Sequence, residues 1–481
     1  MKQSEVASAA WKGLIWKFLE KSSSQLISLI VSIILARLLL PEQFGIIVMT
    51  MIFIALTETF VTGGLGSALI QNSKYDEHAF STMFWASVFF SIILYGLLFL
   101  SAPWISEFMH TPALVSVLRV LGLRLPISAM NSIQQAYVSQ QMIFKKFFFS
   151  TLSGSAVSGI IGIFMAYAGF GVWALVAQSL SMTIVNTAVL HFIISWRPTL
   201  YFNLKIFTDL FGFSWRVMLA SFIGTFFDQF RGFLIGRYYK PQDLAFANRG
   251  ELFPTALAGN ISTSIQAVLF PAFSHLKNDK SDVQAALKNA LTMGSFIIVG
   301  LMVVMAGVSD TLIKVILTEK WMDSVPYLQW VCFGQCFSVL GMINLQTITA
   351  MGRADVTLKL EFIKKPFCLA ILLICVTITP LAVIIGNAFY GVIAFAVNAF
   401  PNKTILYYGL REQVGDIIPP FILAVPVFVM LQYFQYILPQ TFFSLILESA
   451  VGGLLYVLLS CLFHVPGALQ AYQIILSHFK H

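Results

Sequence analysis

The stretch TMFWASVFFSIILYGLLFLSAPW at residues 82–104 contains no charged side chain, and runs like it recur from one end of the chain to the other. Crossing the apolar core of a bilayer takes about 20 residues of helix. Backbone amides in hydrocarbon must also be satisfied within the element that carries them. A chain built from such runs is therefore confined to a helical bundle in a membrane. Across 481 residues, 58% are hydrophobic and 10% charged, against about 25% charged in soluble domains. The mean hydropathy is +0.84.

Fourteen such segments can be placed, near 14–38, 43–66, 79–102, 113–137, 147–168, 171–195, 209–236, 243–271, 284–308, 323–349, 357–378, 382–402, 417–434 and 442–463. Lys2, Lys12, Lys17 and Lys21 precede or open the first segment, and no small-residue cleavage site follows a short apolar core. The expectation is a retained N-terminus rather than a signal peptide. With that end inside, nineteen basic residues fall on the inner side, Lys2, Lys74, Lys145, Lys146, Lys277 and Lys480 among them. Five fall outside: Arg37, Arg237, Lys240, Lys314 and Lys320. This asymmetry predicts that both termini are cytoplasmic. The formal net charge of +8 thus reads as topology and attraction to anionic membrane lipids, not as nucleic-acid binding.

Two stretches 200 positions apart say nearly the same thing: ARLLLPEQFG at 36–45 and GRYYKPQDLA at 236–245. In each, an Arg (Arg37, Arg237) ends one segment and a Pro (Pro41, Pro241) begins the next, since proline stops the preceding helix. QAYVSQQMIFKK at 135–146 and QTITAMGRADVT at 346–357 give a weaker echo. Six spans per copy is an even number, so the two copies run in the same direction. The expected architecture is all-α, with a six-helix lobe at 1–205, a second at 206–408, and an extra C-terminal helix pair with a tail at 409–481. Two such lobes suit alternating access. A chance helix-end pattern is the alternative reading of so short a motif.

Charges inside such a bundle are expensive, at least about 2.5–3.5 kcal/mol each at the bilayer centre. Glu58, Arg119, Arg124, Arg216, Asp228, Arg231, Arg249, Glu251 and Glu361 all lie within the predicted spans. Guanidinium groups bind phosphate oxygens bidentately and stay charged. Arg249, Arg216 and Arg124, followed by Arg231 and Arg119, are thus candidates for holding an anionic head group. Arg119 and Arg124 point about 140° apart at 100° per residue, so they cannot face one cavity equally. Asp228 and Arg231 are spaced for an i,i+3 pair. Glu58 and Asp228 are candidates for ion coupling, and for Glu58 the competing reading is a bond to the Thr57, Thr59 or Thr62 hydroxyl. Asn131, Gln134, Gln135, Gln335, Asn344 and Gln346 suit sugar hydroxyls, or simply tie helices together. SGSAVSGIIG at 153–162 reads as a close helix contact. The 45 phenylalanines carry no assigned role.

Cys332, Cys336, Cys368, Cys375 and Cys461 lie in apolar runs without a C-x-x-C pair, so neither disulfide nor metal is expected. There is no phosphate-binding loop, no H-E-x-x-H and no nucleophile elbow, and the histidines lie mostly in loops or at helix ends. No cofactor and no enzyme activity are expected.

An ordered set of phrases resembles the polysaccharide-transport branch of the multidrug/oligosaccharidyl-lipid/polysaccharide exporter superfamily, the Wzx-type flippases. They are LARLLLPEQFG at 35–45, GGLGSALIQ at 63–71, STMFWAS at 81–87, APWISEF at 102–108, FKK at 144–146, GFGVWALVAQ at 169–178 and RPTLYF at 197–202. LIGRYY at 234–239, FPAFS at 270–274 and LKLEFIKK at 358–365 continue it. The resemblance covers about residues 10–370. It implies two lobes around a V-shaped cavity in a bacterial inner membrane. The implied substrate is an oligosaccharide repeat unit linked by pyrophosphate to undecaprenol, and polysaccharide polymerase machinery is an implied partner. Relatives carry a Gly-Tyr-Tyr-x-Arg-Ala-like segment where this chain has Ala245-Phe246-Ala247-Asn248-Arg249-Gly250, so the arginine remains and the aromatic hydroxyls do not. A cation-coupled antiporter on the same fold would expect acids to outnumber bases in the lumen. A membrane polymerase or ligase would expect a long external catalytic loop.

Overall fold

The computed structural model describes residues 3–71, 77–276 and 279–479. Lys2, Lys74, Lys277 and Lys480, used in the charge argument above, lie outside them. Every regular element among the described residues is helical. Thirteen helical stretches among the described residues are long and apolar enough to cross a membrane. The fourteenth expected span is a helix, Ala354–Cys375, but Asp355, Lys359, Glu361, Lys364 and Lys365 leave it too charged to count among them.

The chain packs as two compact units, Met1–Ala245 and Phe246–His481. The first holds α1 (Gln3–Leu38), α2 (Pro41–Thr62), α3 (Leu65–Gln71), α4 (Glu77–Phe108), α5 (Leu114–Leu121), α6 (Arg124–Gln140), α7 (Lys145–Tyr167), α8 (Val172–Ile193) and α9 (Leu204–Tyr238). The long helix α10 (Pro241–Leu276) starts in the first unit and continues into the second.

The repeated motif is one helix-to-helix joint built twice. In the first copy the Leu39 amide closes on the Leu35 carbonyl at 2.8 Å, and in the second the Tyr239 amide closes on Ile235 at 3.0 Å. Pro41 and Pro241 then open α2 and α10, where a missing N–H costs nothing. The exposed amide before each proline is taken up three residues on, Leu40 by Gln43 Oε1 and Lys240 by Asp243 Oδ2, both at 3.0 Å. The two joints also touch. Gly45 lies against the Pro241 backbone so closely that a methyl group there would strike the Pro241 carbonyl.

Small residues set the other close contacts of this unit. On α7, Gly159 meets Val31 of α1 and Ser155 Oγ lies 3.1 Å from Ser24 Oγ. Gly154 and Gly162, on the other side, meet Met182 and Gln178 of α8. The break between α2 and α3 is at Gly63–Gly64, where α9 passes and a methyl on Gly64 would meet the Ser214 carbonyl. The segment after α8 is bound to the start of α4: Trp85 donates to the Thr199 carbonyl at 2.8 Å, and Ser81 Oγ accepts from the Thr199 amide at 3.2 Å. Trp196, 1% exposed, packs there among Phe80, Phe84 and Tyr137.

In the second unit, α11 (Lys280–Gly307), α12 (Ser309–Ile316), α13 (Val325–Ala350), α14 (Ala354–Cys375), α15 (Pro380–Ala399), α16 (Asn402–Ile405), α17 (Leu410–Ile437), α18 (Phe442–Leu462) and α19 (Pro466–Phe479) follow α10. A 3₁₀ turn, Glu319–Ser324, leads into α13. α11 is the central helix, packed by α13, α17, α18 and α19. Its buried Leu287 and Leu291 join Phe273, Leu340, Ile343 and Phe395 in the core. All five cysteines are free thiols.

Candidate functional site: polar clusters within the membrane helices

The fourth span is broken where its charge sits. Pro126 has no N–H, and its ring would clash with the carbonyl four residues back, at Gly122. The chain answers with a tight turn at Gly122–Leu123 in which the Leu125 amide bonds the Gly122 carbonyl at 2.9 Å. α6 therefore begins anew at Arg124. The restart points the guanidinium at two neighbouring spans. Arg124 Nε lies 3.5 Å from Glu58 Oε1 of α2, and Arg124 Nη1 donates to Ser179 Oγ of α8 at 3.2 Å. One turn along α6, Ser128 Oγ donates to the same Glu58 oxygen at 2.5 Å. Side chains of Arg124 and Glu58 are 30% and 20% exposed, so the pair is largely but not wholly out of solvent.

Two sequence candidates for separate roles thus form one cluster. The neighbouring threonines are not its partners: Thr57 and Thr62 turn their hydroxyls to carbonyls of their own helix, at Phe53 and Glu58. Thr59 bonds Ala55 and reaches across to Thr225 of α9 at 3.1 Å. Such back-bonding one turn away is the ordinary habit of helical threonine. It leaves the Glu58 carboxylate to Ser128 and Arg124, neither of which was paired with it in advance.

Arg119, before the break, turns elsewhere. Its Nε donates to the Phe99 carbonyl of α4 at 3.3 Å, and its guanidinium lies 4.4 Å from the centre of the Phe99 ring. It shares no cluster with Arg124. On α9, Arg216 is exposed beside Trp215. Asp228 is exposed and Arg231 half-buried further along the same helix. Phe222, Phe226, Phe230 and Phe233 stack along α9 at centroid spacings of 5.4–6.5 Å.

In the second unit, Arg249 is 6% exposed, with its guanidinium 5.6 Å from the Trp321 ring centre. Phe246 packs edge-on against the same indole at 6.1 Å. Gly250 permits this closeness, because a methyl there would lie 2.7 Å from Tyr327 Cβ. Lys364, 5% exposed, is paired with Glu361 one turn away.

The amide candidates mostly tie helices together. Asn344 donates to Gln413 Oε1 at 2.9 Å and accepts from Asn402 Nδ2 at 2.7 Å, joining α13, α16 and α17. Gln413 continues to the Tyr408 carbonyl at 3.2 Å. The Tyr408 hydroxyl donates to Asp416 Oδ2 at 2.6 Å, and Asp416 pairs with Lys288 at 3.1 Å. Burial, followed by the Asp416 hydrogen bond, holds the Tyr408 phenol well above its ordinary range. In the first unit Gln135 bonds Asn131 at 3.2 Å, and Gln134 meets His191 at 3.3 Å.

One membrane charge escaped the sequence reading altogether. Glu448 of α18 is fully buried, and the lone acid in FFSLILESAVGG was the available signal. No group of three or more His, Cys, Asp or Glu side chains able to hold a metal occurs among the described residues.

Membrane-length helices carrying ion pairs and amide networks in their interior define a multi-pass integral membrane protein of transporter-like fold. Residues 34–326 match the family described as Polysaccharide biosynthesis protein, and the chain belongs to that family. It is 27% identical over 299 residues to the teichuronic acid biosynthesis protein TuaB of Bacillus subtilis, spanning 61% of each chain. It is 21% identical to the succinoglycan biosynthesis transport protein ExoT of Rhizobium meliloti over 92% of this chain and 91% of that one. Against the lipopolysaccharide biosynthesis protein WzxC of Escherichia coli it is 22% identical over 82% of each. Among solved structures, the lipid II flippase MurJ in an inward closed conformation superposes with a TM-score of 0.74 at 15% identity, covering 94% of this chain and 99% of that one. An inward-facing multidrug resistance MATE family transporter gives 0.61 at 16% identity, covering 79% and 95%. At these identities the likeness is one of fold.

Proposed function

We propose that this chain is a flippase. It moves oligosaccharide repeat units linked by pyrophosphate to undecaprenol from the cytoplasmic to the outer leaflet of a bacterial inner membrane, for polysaccharide biosynthesis. The observation that carries this reading is relationship along almost the whole chain to a protein named for succinoglycan transport, within a family of polysaccharide biosynthesis proteins. The MurJ-like fold agrees with it. Both termini are cytoplasmic in this proposal, and anionic lipids surround the basic inner ends. The lobes are residues 1–205 and 206–408, with 409–481 as an added pair.

The chemistry asked of the protein is to hold a pyrophosphate away from bulk water and release it on the other side, with no bond made or broken. Arginine suits this because it binds phosphate in bidentate fashion at any physiological pH. Arg216, exposed within its span, is the residue proposed to meet the anion first. Arg124 reaches it by exchanging Glu58 for phosphate, and the freed carboxylate then becomes the coupling site. Arg249, Arg231 and Arg119 complete the proposed cationic set, and Asp228 is the second proposed coupling acid. Alternating access between the lobes moves the bound anion. Polysaccharide polymerase machinery is the proposed downstream partner.

The test is the leaflet location of undecaprenyl-pyrophosphate oligosaccharide in cells lacking the gene, complemented with the wild type or with Arg216→Ala. Accumulation on the cytoplasmic face, cleared by wild type and at most partly by the variant, is expected. Arrival of the intermediate on the outer face without this protein would overturn the proposal.

A further inference from the structure

The second unit holds a cluster of buried polar side chains that the flippase reading leaves unused. Glu448 sits six residues beyond the first residue of α18, about 9 Å along the helix axis at 1.5 Å per residue. It shares a buried face with Leu445, Gly452 and Tyr456, while Ile446, Leu447, Leu454 and Leu458 on the other side are exposed apolar residues. Its carboxyl faces the Thr311 hydroxyl and the Asp310 carboxyl of α12. Neither Glu448 oxygen has a hydrogen-bond partner among the described residues, and neither has Thr311 Oγ1, although Thr311 is also fully buried. Gln435 of α17, 6% exposed, accepts from the Asp310 amide at 2.9 Å and leaves its own Nε2 without a partner.

Three neighbouring helices therefore supply buried polar atoms of which several are left without a well-formed hydrogen bond. An ionised carboxylate so placed would be a charge in a membrane span with no cation and at most the Thr311 hydroxyl as donor, an arrangement that proteins avoid. No ion pair of Glu448 occurs among the described residues. The second half of α11 carries no titratable side chain. On α17 the titratable side chains nearby are Tyr433 and Tyr436, both exposed. Lys314 of α12 is occupied by Glu319 at 2.8 Å. Tyr456, further along α18, gives its hydroxyl to the Phe296 carbonyl at 2.9 Å. Asp310 is itself half-buried, and burial pushes its carboxyl above the ordinary carboxylate range.

A single proton resolves the mismatch. It turns one Glu448 oxygen into a donor, for which Thr311 Oγ1 and the Asp310 carboxylate are acceptors, and it removes the repulsion between two neighbouring acids. We propose that Glu448 and Asp310, with Thr311 and Gln435, form a proton-binding site between α12, α17 and α18. The site ties the C-terminal helix pair to the end of α11 and does not depend on the substrate assigned above.

Infrared spectroscopy of the full chain reconstituted in lipid vesicles reads this directly. At neutral pH the wild type shows the absorption band of a protonated carboxyl, which is lost in Glu448→Gln and disappears from the wild type as pH is raised. Asp310→Asn removes the neighbouring charge, so the band's titration moves to lower pH. Absence of the band from folded wild type at neutral pH, its persistence in Glu448→Gln, or its loss on adding sodium at constant pH would each overturn the proposal. The last result would mean a metal cation occupies the site. The wild-type titration stands alone should the Gln variant fail to fold.

Discussion

Removing Arg124 tests whether the cluster in the first unit is a true ion pair or only a crowd of polar groups. In Arg124→Leu the Glu58 carboxylate keeps the Ser128 hydroxyl and loses its cation, while Ser179 loses its donor. Breaking a fully buried pair costs about 3–5 kcal/mol. With side chains 30% and 20% exposed and a 3.5 Å separation, solvent screens part of that, and about 2–3 kcal/mol is the discounted figure. Glu58→Gln keeps an acceptor for Ser128 and should cost less, about 1–2 kcal/mol. The double variant leaves no unpaired charge, so its loss should fall short of the summed single losses by about 1–2 kcal/mol. The assay is a double-mutant cycle on reversible unfolding of the purified chain in mixed micelles, followed by circular dichroism. Additivity within about 0.5 kcal/mol would refute the pairing, and with it the exchange of carboxylate for phosphate at Arg124.

Three further outcomes follow from the packing and the hydrogen bonds. Gly250→Ala places a methyl 2.7 Å from Tyr327 Cβ and should cost about 1–3 kcal/mol by overpacking. Gly415→Ala, with nothing within 4 Å, should be neutral or slightly stabilising by helix propensity, so a lower thermal midpoint in both would defeat the steric argument. Asn344→Ala strands Gln413 Oε1 and Asn402 Nδ2, both in fully buried residues, at about 2–4 kcal/mol; an unchanged thermal midpoint would show that the network is not needed. The thermal midpoint should also fall at both ends of the pH range. Tyr408, whose phenol is held up in the folded state, contributes stability that is full below about pH 10 and lost as pH rises through the folded value, so Tyr408→Phe should flatten the alkaline limb. Asp279, held low by the Ser281 hydroxyl and the amides at the start of α11, contributes above about pH 4 and loses that contribution on acidification. Asp279→Asn should flatten the acid limb.

What could be read in advance was whatever depends on length and local chemistry. A helix crosses a bilayer by being long and apolar, so the spans near 79–102 and 284–308 lie inside α4 and α11 with only their ends displaced. The repeated prolines mark real joints because proline dictates its own backbone. The amide caps by Gln43 and Asp243 add to each motif a detail that its spelling already contained. The run at 153–162 packs closely because small residues can do little else in a membrane. Glu448 was equally legible, and was overlooked because a single acid in a strongly apolar run does not alter where the span lies.

Pairings were illegible for a different reason. Each residue of boundary error turns a helix face by 100°, so an uncertainty of two residues, harmless to span length, erases the direction of every side chain. Glu58 and Arg124 lie 66 positions apart on separate spans, and their meeting depends on the restart of α6 that Pro126 imposes. Pro126 could be seen in the sequence, but not the amount by which its turn rotates the helix. The same uncertainty hid Arg249, whose guanidinium ends against Trp321 because Gly250 lets α10 approach α13. Glycine and proline thus fix how the helices meet, and the direction of each membrane charge follows from that. Variants at Pro126 and Gly250 should therefore disturb Arg124 and Arg249 as strongly as substitutions of the arginines' own neighbours do.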